Sequence, residues 1–127
     1  MRIDRDPALI AYQAADECRA LVTATAKPAQ LGTVDAVRDV TEGLHLAVNQ
    51  LPQAIRQAAA ALRALEEQQA VGVAGGVDPG GDVSLALRAL LNAEVGLTVA
   101  RAALREASEP LSRLGGPVGG PGVDAGP

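Results

Sequence analysis

Two long segments of this chain repeat apolar residues at alternating intervals of three and four positions. In residues 34–65 the repeat consists of Val34, Val37, Thr41, Leu44, Val48, Leu51, Ile55, Ala58, Leu62 and Leu65. In residues 83–114 it consists of Val83, Ala86, Leu90, Ala93, Leu97, Ala100, Leu104, Ala107, Leu111 and Leu114. Such a repeat forms one continuous apolar stripe along a helix, whereas a strand would alternate at every second residue. The two segments therefore predict two long helices that pack against each other along these stripes.

Local signals predict a shorter helix before these two. Asp6 is a good N-cap, and Pro7 suits the first helical position because an N–H would be unpaired there in any case. Pro28 disfavours the helical conformation for the residue before it. The sequence therefore predicts helix 1 at about residues 7–27.

Similar signals give the bounds of the two long helices. Thr33 is an N-cap candidate, and the glycine-rich stretch at 71–81 interrupts the helical pattern. Pro52 falls inside the first repeat, but the repeat keeps its phase across it, which predicts one bent helix. We predict helix 2 at about 33–70, helix 3 at about 82–114, a single helical domain over 1–114 and a flexible Gly/Pro-rich tail at 115–127.

The composition favours an all-α fold. Alanine, which is frequent throughout the chain, is the best helix former, and its small side chain lets helices approach closely. Tyr12 is the one aromatic residue, so a β or α/β core would lack the rings that usually supply much of its buried area. We predict a three-helix bundle in which helices 2 and 3 form a long antiparallel hairpin and helix 1 packs on its open end.

Helix 1 is too short to cover the whole hairpin. At ~1.5 Å per residue it is about 30 Å long, whereas helices 2 and 3 are roughly 55 and 48 Å long. It can reach only to about Pro52, and apolar residues beyond that point remain uncovered. The predicted interaction surface there consists of Ile55, Leu62, Leu87, Leu91, Val95 and Val99. The predicted partner is a second copy, which would complete a four-helix bundle at this end, or another helical protein.

Charge and cysteine content argue against several classes of protein. The net charge of −4 and the absence of a basic run argue against a nucleic-acid partner. The acidic residues near the N-terminus do not match a cleaved signal peptide, and Cys18 is alone, so no intramolecular disulfide is expected. The expected location is the cytoplasm, with export without a cleaved signal peptide as the alternative.

The apolar character of the third helix raises the alternative of a membrane span. A span needs about 20 apolar residues, and a charge at its centre costs roughly 2.5–3.5 kcal/mol. The window at 85–104 would bury Arg88, Glu94 and Arg101. Because a heptad stripe also has no purpose in lipid, we predict no membrane span.

Glu42 and His45 form a Glu-x-x-His pair of the kind that ligates metals in di-iron helical bundles. Both residues fall outside the predicted apolar stripe, and a metal centre would need further carboxylates from other helices. These two residues are therefore weak candidates, and the favoured interpretation is an exposed helix face with no metal and no cofactor.

Other reactive side chains give no sign of catalysis. Glu94 lies in the most apolar part of the third helix and is expected to pair with an arginine such as Arg101 or Arg56. Cys18 is expected to be a small buried residue of helix 1. No Cys/His or Ser/His/Asp grouping indicates a nucleophile, and no phosphate-binding loop is present, so an enzyme is not predicted.

Two short motifs invite comparison with a known family. Residues Gln30–Gly32 (QLG) form a turn without a tryptophan, and Tyr12 and Asp16 are spaced as Tyr-x-x-x-Asp near the start of the chain. The hairpin resembles the small helical proteins exported by type VII secretion, which carry Trp-x-Gly in their turn and Tyr-x-x-x-Asp/Glu after their second helix. The resemblance implies an exported hairpin that dimerises as a four-helix bundle.

The strong signals of this sequence all concern packing. They predict a non-catalytic structural or protein–protein interaction protein, an assembly or adaptor subunit. The alternatives are an exported helical-hairpin protein of the type VII secretion kind and a di-iron or other metal-binding helical bundle.

Overall fold

The computed structural model describes residues 5–72 and 78–115. In these residues it contains three α-helices and no strand, which confirms the all-α class. The helices are α1 (Pro7–Ala24), α2 (Val34–Glu67) and α3 (Gly80–Arg113). The predicted tail beyond Gly115 and the glycine-rich residues 73–77 lie outside the described residues.

Helix α1 begins where its sequence signals predict. The side chain of Asp6 accepts a hydrogen bond from the backbone N–H of Ala8 at 3.1 Å, as an N-cap does. The helix ends at Ala24, earlier than predicted. The Oγ1 of Thr25 donates to the carbonyl of Leu21 at 2.8 Å, and its backbone N–H donates to the same carbonyl at 3.0 Å. These two hydrogen bonds close the last helical turn, so the helix ends before Pro28.

Helix α2 runs through its internal proline without interruption. Thr33 caps its start, because the Oγ1 of this residue accepts from the N–H of Ala36 at 3.0 Å. Pro52 is buried inside the helix, so the predicted single helix across it is confirmed. Proline removes one intrahelical hydrogen bond, and the packing of the helix compensates for that loss.

A Schellman motif ends α2. The N–H of Ala70 donates to the carbonyl of Leu65, and the N–H of Gln69 donates to the carbonyl of Glu66, both at 2.9 Å. This pair of hydrogen bonds requires a left-handed backbone conformation at the residue before Ala70. Gln69 is that residue, and its φ is 58°. Glycine is the usual residue at this position because a side chain is disfavoured there.

We expect Gln69→Gly to raise the free energy of unfolding by about 0.5–1 kcal/mol, since the relief of the left-handed backbone outweighs the extra entropy of an unfolded glycine. Chemical denaturation followed by circular dichroism would measure the change. Gln68→Gly is the matched control, because Gln68 has no positive φ, and it should lower the stability. Equal effects of the two substitutions would contradict this account of the turn.

Helix α3 begins at Gly80, two residues before the predicted start at 82. The Oδ1 of Asp78 accepts from the N–H of Gly80 at 3.3 Å, and the N–H of Val83 donates to the carbonyl of Pro79. Asp82 therefore lies in the first turn, where its charge favours the helix dipole.

The chain divides into two compact units. One takes in α1, the connector and the first turn of α2 as far as Val37, and the other covers Arg38–Gly115, with the rest of α2 and all of α3. The predicted packing of helix 1 on the hairpin, and the single domain over 1–114, stay predictions.

Helices α2 and α3 pack together as an antiparallel hairpin, as predicted. The Nε of Arg38, near the start of the unit, donates to the carbonyl of Leu111 at 3.1 Å. Farther along, the Nη1 of Arg101 donates to the Oδ1 of Asn49 at 3.4 Å. Arg38 also satisfies the carbonyl of Leu114, so a cation lies against the negative end of the α3 dipole.

A repeat of buried and half-buried residues, here called the seam, runs along both helices at intervals of three and four. On α2 the seam consists of Arg38, Thr41, His45, Val48, Pro52, Ile55, Ala59, Leu62 and Glu66. On α3 it consists of Val83, Leu87, Leu90, Glu94, Leu97, Arg101, Leu104, Ser108 and Leu111. Four of the ten predicted residues of helix 2 and five of the ten of helix 3 belong to the seam, and most of the others are replaced in it by the residue that directly follows them.

The predicted stripe of helix 2 is therefore wrong in half of its positions, whereas in helix 3 Ala100 and Ala107 are also half-buried and only Ala86, Ala93 and Leu114 are exposed. His45 replaces Leu44 and Pro52 replaces Leu51, which corresponds to a rotation of each helix by about 50°, half of the ~100° between neighbouring residues. The rotation places Leu87 in the seam where the sequence pattern predicts Ala86, so a larger apolar side chain packs between the helices.

Candidate functional site

A groove opens on one flank of the seam and is here called the arginine groove. Its lining residues are Ile55, Arg56, Ala59, Arg63, Leu87, Leu90, Leu91 and Glu94, around a cavity of about 310 Å³. Both helices contribute to it, so the hairpin itself forms the groove. The floor is apolar, and the charged groups are two arginines of α2 and one glutamate of α3.

An ion pair fixes one edge of this groove. The Nη1 of Arg56 donates to the Oε2 of Glu94 at 2.6 Å, and its Nη2 donates to the Oε1 of Gln53, also at 2.6 Å. The side chain of Glu94 is 22% exposed and that of Arg56 is 51% exposed. Of the two arginines that the sequence suggested for Glu94, Arg56 is the partner. These contacts orient the guanidinium over the groove and compensate the carboxylate.

A second surface, here called the apolar face, lies on the opposite flank of the seam. Arg56 and Leu91 directly follow the seam residues Ile55 and Leu90, and both line the groove. In a heptad repeat the residue that directly precedes the next seam position lies on the opposite flank, and Leu51 is such a residue. On α2 the apolar face consists of Leu44, Ala47, Leu51, Ala54, Ala58, Ala61 and Leu65. On α3 it consists of Ala86, Ala89, Ala93, Gly96, Ala100, Ala103 and Ala107.

Most of the apolar face is open to solvent, and only Ala100 and Ala107 of its residues are half-buried. Leu44, Leu51 and Leu65 are 37%, 43% and 44% exposed, and none of the residues of this face has a polar side chain. Sequence reasoning missed the face because it assigned these leucines to the seam. The signal that could have found it is the absence of any polar residue from a band wider than one stripe.

The six residues of the predicted interaction surface do not form one face. Ile55, Leu87 and Leu91 meet in the arginine groove. Leu62 lines a separate cavity of about 280 Å³ near the turn between the helices, together with Val83 and Pro79. The outermost two, Val95 and Val99, are 56% and 65% exposed and line neither cavity.

The candidate metal ligands occupy different environments. Glu42 is exposed, whereas His45 is half-buried in the seam, so its predicted position outside the packed stripe is wrong. In residues 5–72 and 78–115, no three His, Cys, Asp or Glu side chains come together as a metal site would require. Cys18 is exposed, so the prediction that it is buried is also wrong.

The buried environment of His45 contains an unpaired polar atom. Its Nε2 is buried and has no hydrogen-bond partner in the described part of the chain. An imidazole nitrogen without a partner lowers stability, typically by about 1–3 kcal/mol, because it gives up its hydration on folding.

Within residues 5–72 and 78–115, one helix, α3, has the length and composition that a membrane span requires. Its most apolar 18-residue window has a mean hydropathy of 1.4, and 6% of that window is buried. Core helices of other proteins share this length and hydropathy, although they are mostly buried, so one such helix is weak evidence for a span.

No protein-family model, curated protein or solved structure matches this chain.

Proposed function

We propose that this chain is a non-catalytic interaction protein, an assembly or adaptor subunit, whose hairpin completes its helical bundle on a second copy of itself. The observation that carries the proposal is the exposed apolar face. Among the described residues of the helices, only Pro52, Ala59 and Val83 are buried, while leucines on both helices remain open to water. An apolar band of this size on a two-helix hairpin favours a partner.

The apolar face is complementary to itself. On α2 it carries three leucines among four alanines, and on α3 it carries alanines and one glycine, Gly96. In a pair related by two-fold symmetry, each helix of one copy can face the other helix of its partner. The leucines of α2 then insert between small residues of the partner's α3, as knobs enter holes, and the helices approach closely.

The dimensions of the face suit a stable dimer. From Leu44 to Leu65 it is about 32 Å long, and two helices ~8–10 Å apart make it roughly 18 Å wide. This gives roughly 600 Å² on each copy, which is close to the lower limit of stable interfaces at about 1,200 Å² in total. Because the face needs no charge compensation, its burial has a small desolvation cost.

The cellular location is part of the proposal. We propose the cytoplasm, and export without a cleaved signal peptide is the alternative that the resemblance to type VII secretion proteins suggests. Assembly through the apolar face is compatible with either compartment, because the chain has one cysteine and needs no disulfide.

Sedimentation velocity of the full chain across a dilution series tests the proposal. We expect a single species with the mass of two chains at high concentration, which dissociates reversibly as the chain is diluted. A fluorophore on Cys18, the single and exposed cysteine, allows the same equilibrium to be followed by energy transfer between labelled copies. A chain that remains a monodisperse monomer at every concentration would contradict the proposed self-association.

A further inference from the structure

We propose that the arginine groove binds one amphipathic helix of a partner protein, a helix that carries acidic side chains beside an apolar stripe. This inference rests on the proposed function, since it assigns a second docking surface to the same interaction protein.

The floor of the groove suits the apolar side of a helix. Ile55, Ala59, Leu87 and Leu90 form it, and Leu91, which is 57% exposed, stands at its margin. A third helix that lies along the groove between two antiparallel helices would insert apolar side chains every three or four residues. The cavity of about 310 Å³ is at the lower end of the range for small-molecule pockets, which favours a few inserted side chains over an enclosed ligand.

The charge around the groove is locally positive in an acidic chain. Among the eight residues that line the groove, two are arginines and one is acidic, Glu94, so the lining has a net positive charge although the whole chain has a net charge of −4. Arg56 is already paired with Glu94, whereas Arg63 makes no ion pair with any residue that the structure describes. A docked helix with carboxylates would supply the missing partners.

The same arginines disfavour a second copy in this groove. Two-fold pairing that sets α2 against α2 would bring Arg56 and Arg63 of one copy against the same residues of the other, and like charges in a desolvated contact are repulsive. Pairing of α2 with α3 of the other copy would offer these arginines only Glu94, which is already paired with Arg56 within each copy. A partner helix avoids this cost if its acidic residues are spaced to match. Arg56 and Arg63 are seven residues apart, about 10.5 Å along α2, so carboxylates at positions i and i+7 of the partner would reach both.

A synthetic peptide of about three heptads, with leucine along one stripe and glutamate on both flanks, serves as the probe. Its matched control has lysine in place of every glutamate. Fluorescence anisotropy of each labelled peptide, titrated with the full chain, measures binding. We expect the glutamate peptide to bind more tightly than the lysine peptide, and added salt to weaken its binding.

Substitution of Arg63 tests the site itself. Arg63→Glu should weaken binding of the glutamate peptide by about tenfold or more and strengthen binding of the lysine peptide, while self-association stays unchanged. Arg63→Gln should give an intermediate loss and serves as the second variant if Arg63→Glu disturbs folding. Equal binding of the two peptides, binding of neither, or no effect of either Arg63 variant would overturn the inference.

Two further measurements separate this inference from the proposed function. Leu51→Asp, on the apolar face, should leave peptide binding intact, and loss of binding in that variant would place the peptide on the wrong surface. A chain that is monomeric but binds the glutamate peptide contradicts only the self-association.

Vesicles of phosphatidylcholine and phosphatidylserine test a lipid partner, and binding to these vesicles without binding to the peptide would overturn the assignment of a protein helix.

Discussion

Replacing Leu51 by aspartate should convert the proposed dimer into a monomer without unfolding the hairpin. Leu51 lies near the middle of the apolar face, outside the seam, and is 43% exposed in the single chain. A buried leucine contributes roughly 1.5–3 kcal/mol, and a buried aspartate without a partner is unfavourable. Because symmetry places the substitution on both sides of the contact, we expect the dissociation constant to rise about a hundredfold or more.

Sedimentation velocity gives the mass of this variant, and circular dichroism checks that its helices are retained. Leu46→Asp is the matched control, since Leu46 is on the same helix, is 57% exposed and lies away from the apolar face. Leu91→Asp separates the two surfaces, because Leu91 lines the arginine groove and its loss should leave the dimer intact. A dimer that persists in Leu51→Asp would contradict self-association through the apolar face. Dissociation of the dimer by Leu91→Asp would instead place the contact on the interaction surface that the sequence predicts.

Replacing His45 by leucine should make the hairpin more stable. The Nε2 of His45 is buried without a partner in the part of the chain that the structure describes, and the residue occupies a seam position. An apolar side chain of similar size removes the unsatisfied atom and adds packing, so the free energy of unfolding should rise by about 1–3 kcal/mol. For a domain of this size, that corresponds to a rise of several degrees in Tm.

Thermal and urea unfolding at one fixed chain concentration would measure this effect, because self-association also changes apparent stability. The measurement is best made in the Leu51→Asp background, where dissociation does not contribute. His45→Asn is the control, since it keeps a polar atom at the same position and should give no gain. A loss of stability in His45→Leu would show that the imidazole has a partner in solution.

The helix caps and the all-α class could be predicted because they depend on residues close together in the chain. Asp6 and Thr33 act as caps through hydrogen bonds two or three residues away. The rotation of the seam could not be predicted in the same way. Thr41 is compatible with a next contact at Leu44 or at His45, and hydropathy favours leucine, whereas the packed hairpin selects histidine.

The predicted interaction surface shows the same limit. Leu87, Leu91, Val95 and Val99 are four residues apart, and each such step turns by about 40° around a helix. The series therefore spirals from the seam, where Leu87 packs, to the outer side, where Val99 is 65% exposed. The ion pair between Arg56 and Glu94 could be predicted from the sequence, because few cations lie near this carboxylate in such an apolar helix.

The polar residues in the seam also help to determine how α2 and α3 are aligned in the hairpin. Two heptad-repeating helices of leucine and alanine can pair in several alternative registers that differ by seven residues, with similar apolar burial in each. A slip in one direction would bring Arg56 level with Arg101, and a slip in the other would bring it level with Leu87, away from Glu94. Polar side chains in a coiled-coil seam are known to fix register at a cost in stability. A seam that consisted of leucine throughout would be the most stable one for this chain. It would also be the least able to select a single alignment of the two helices.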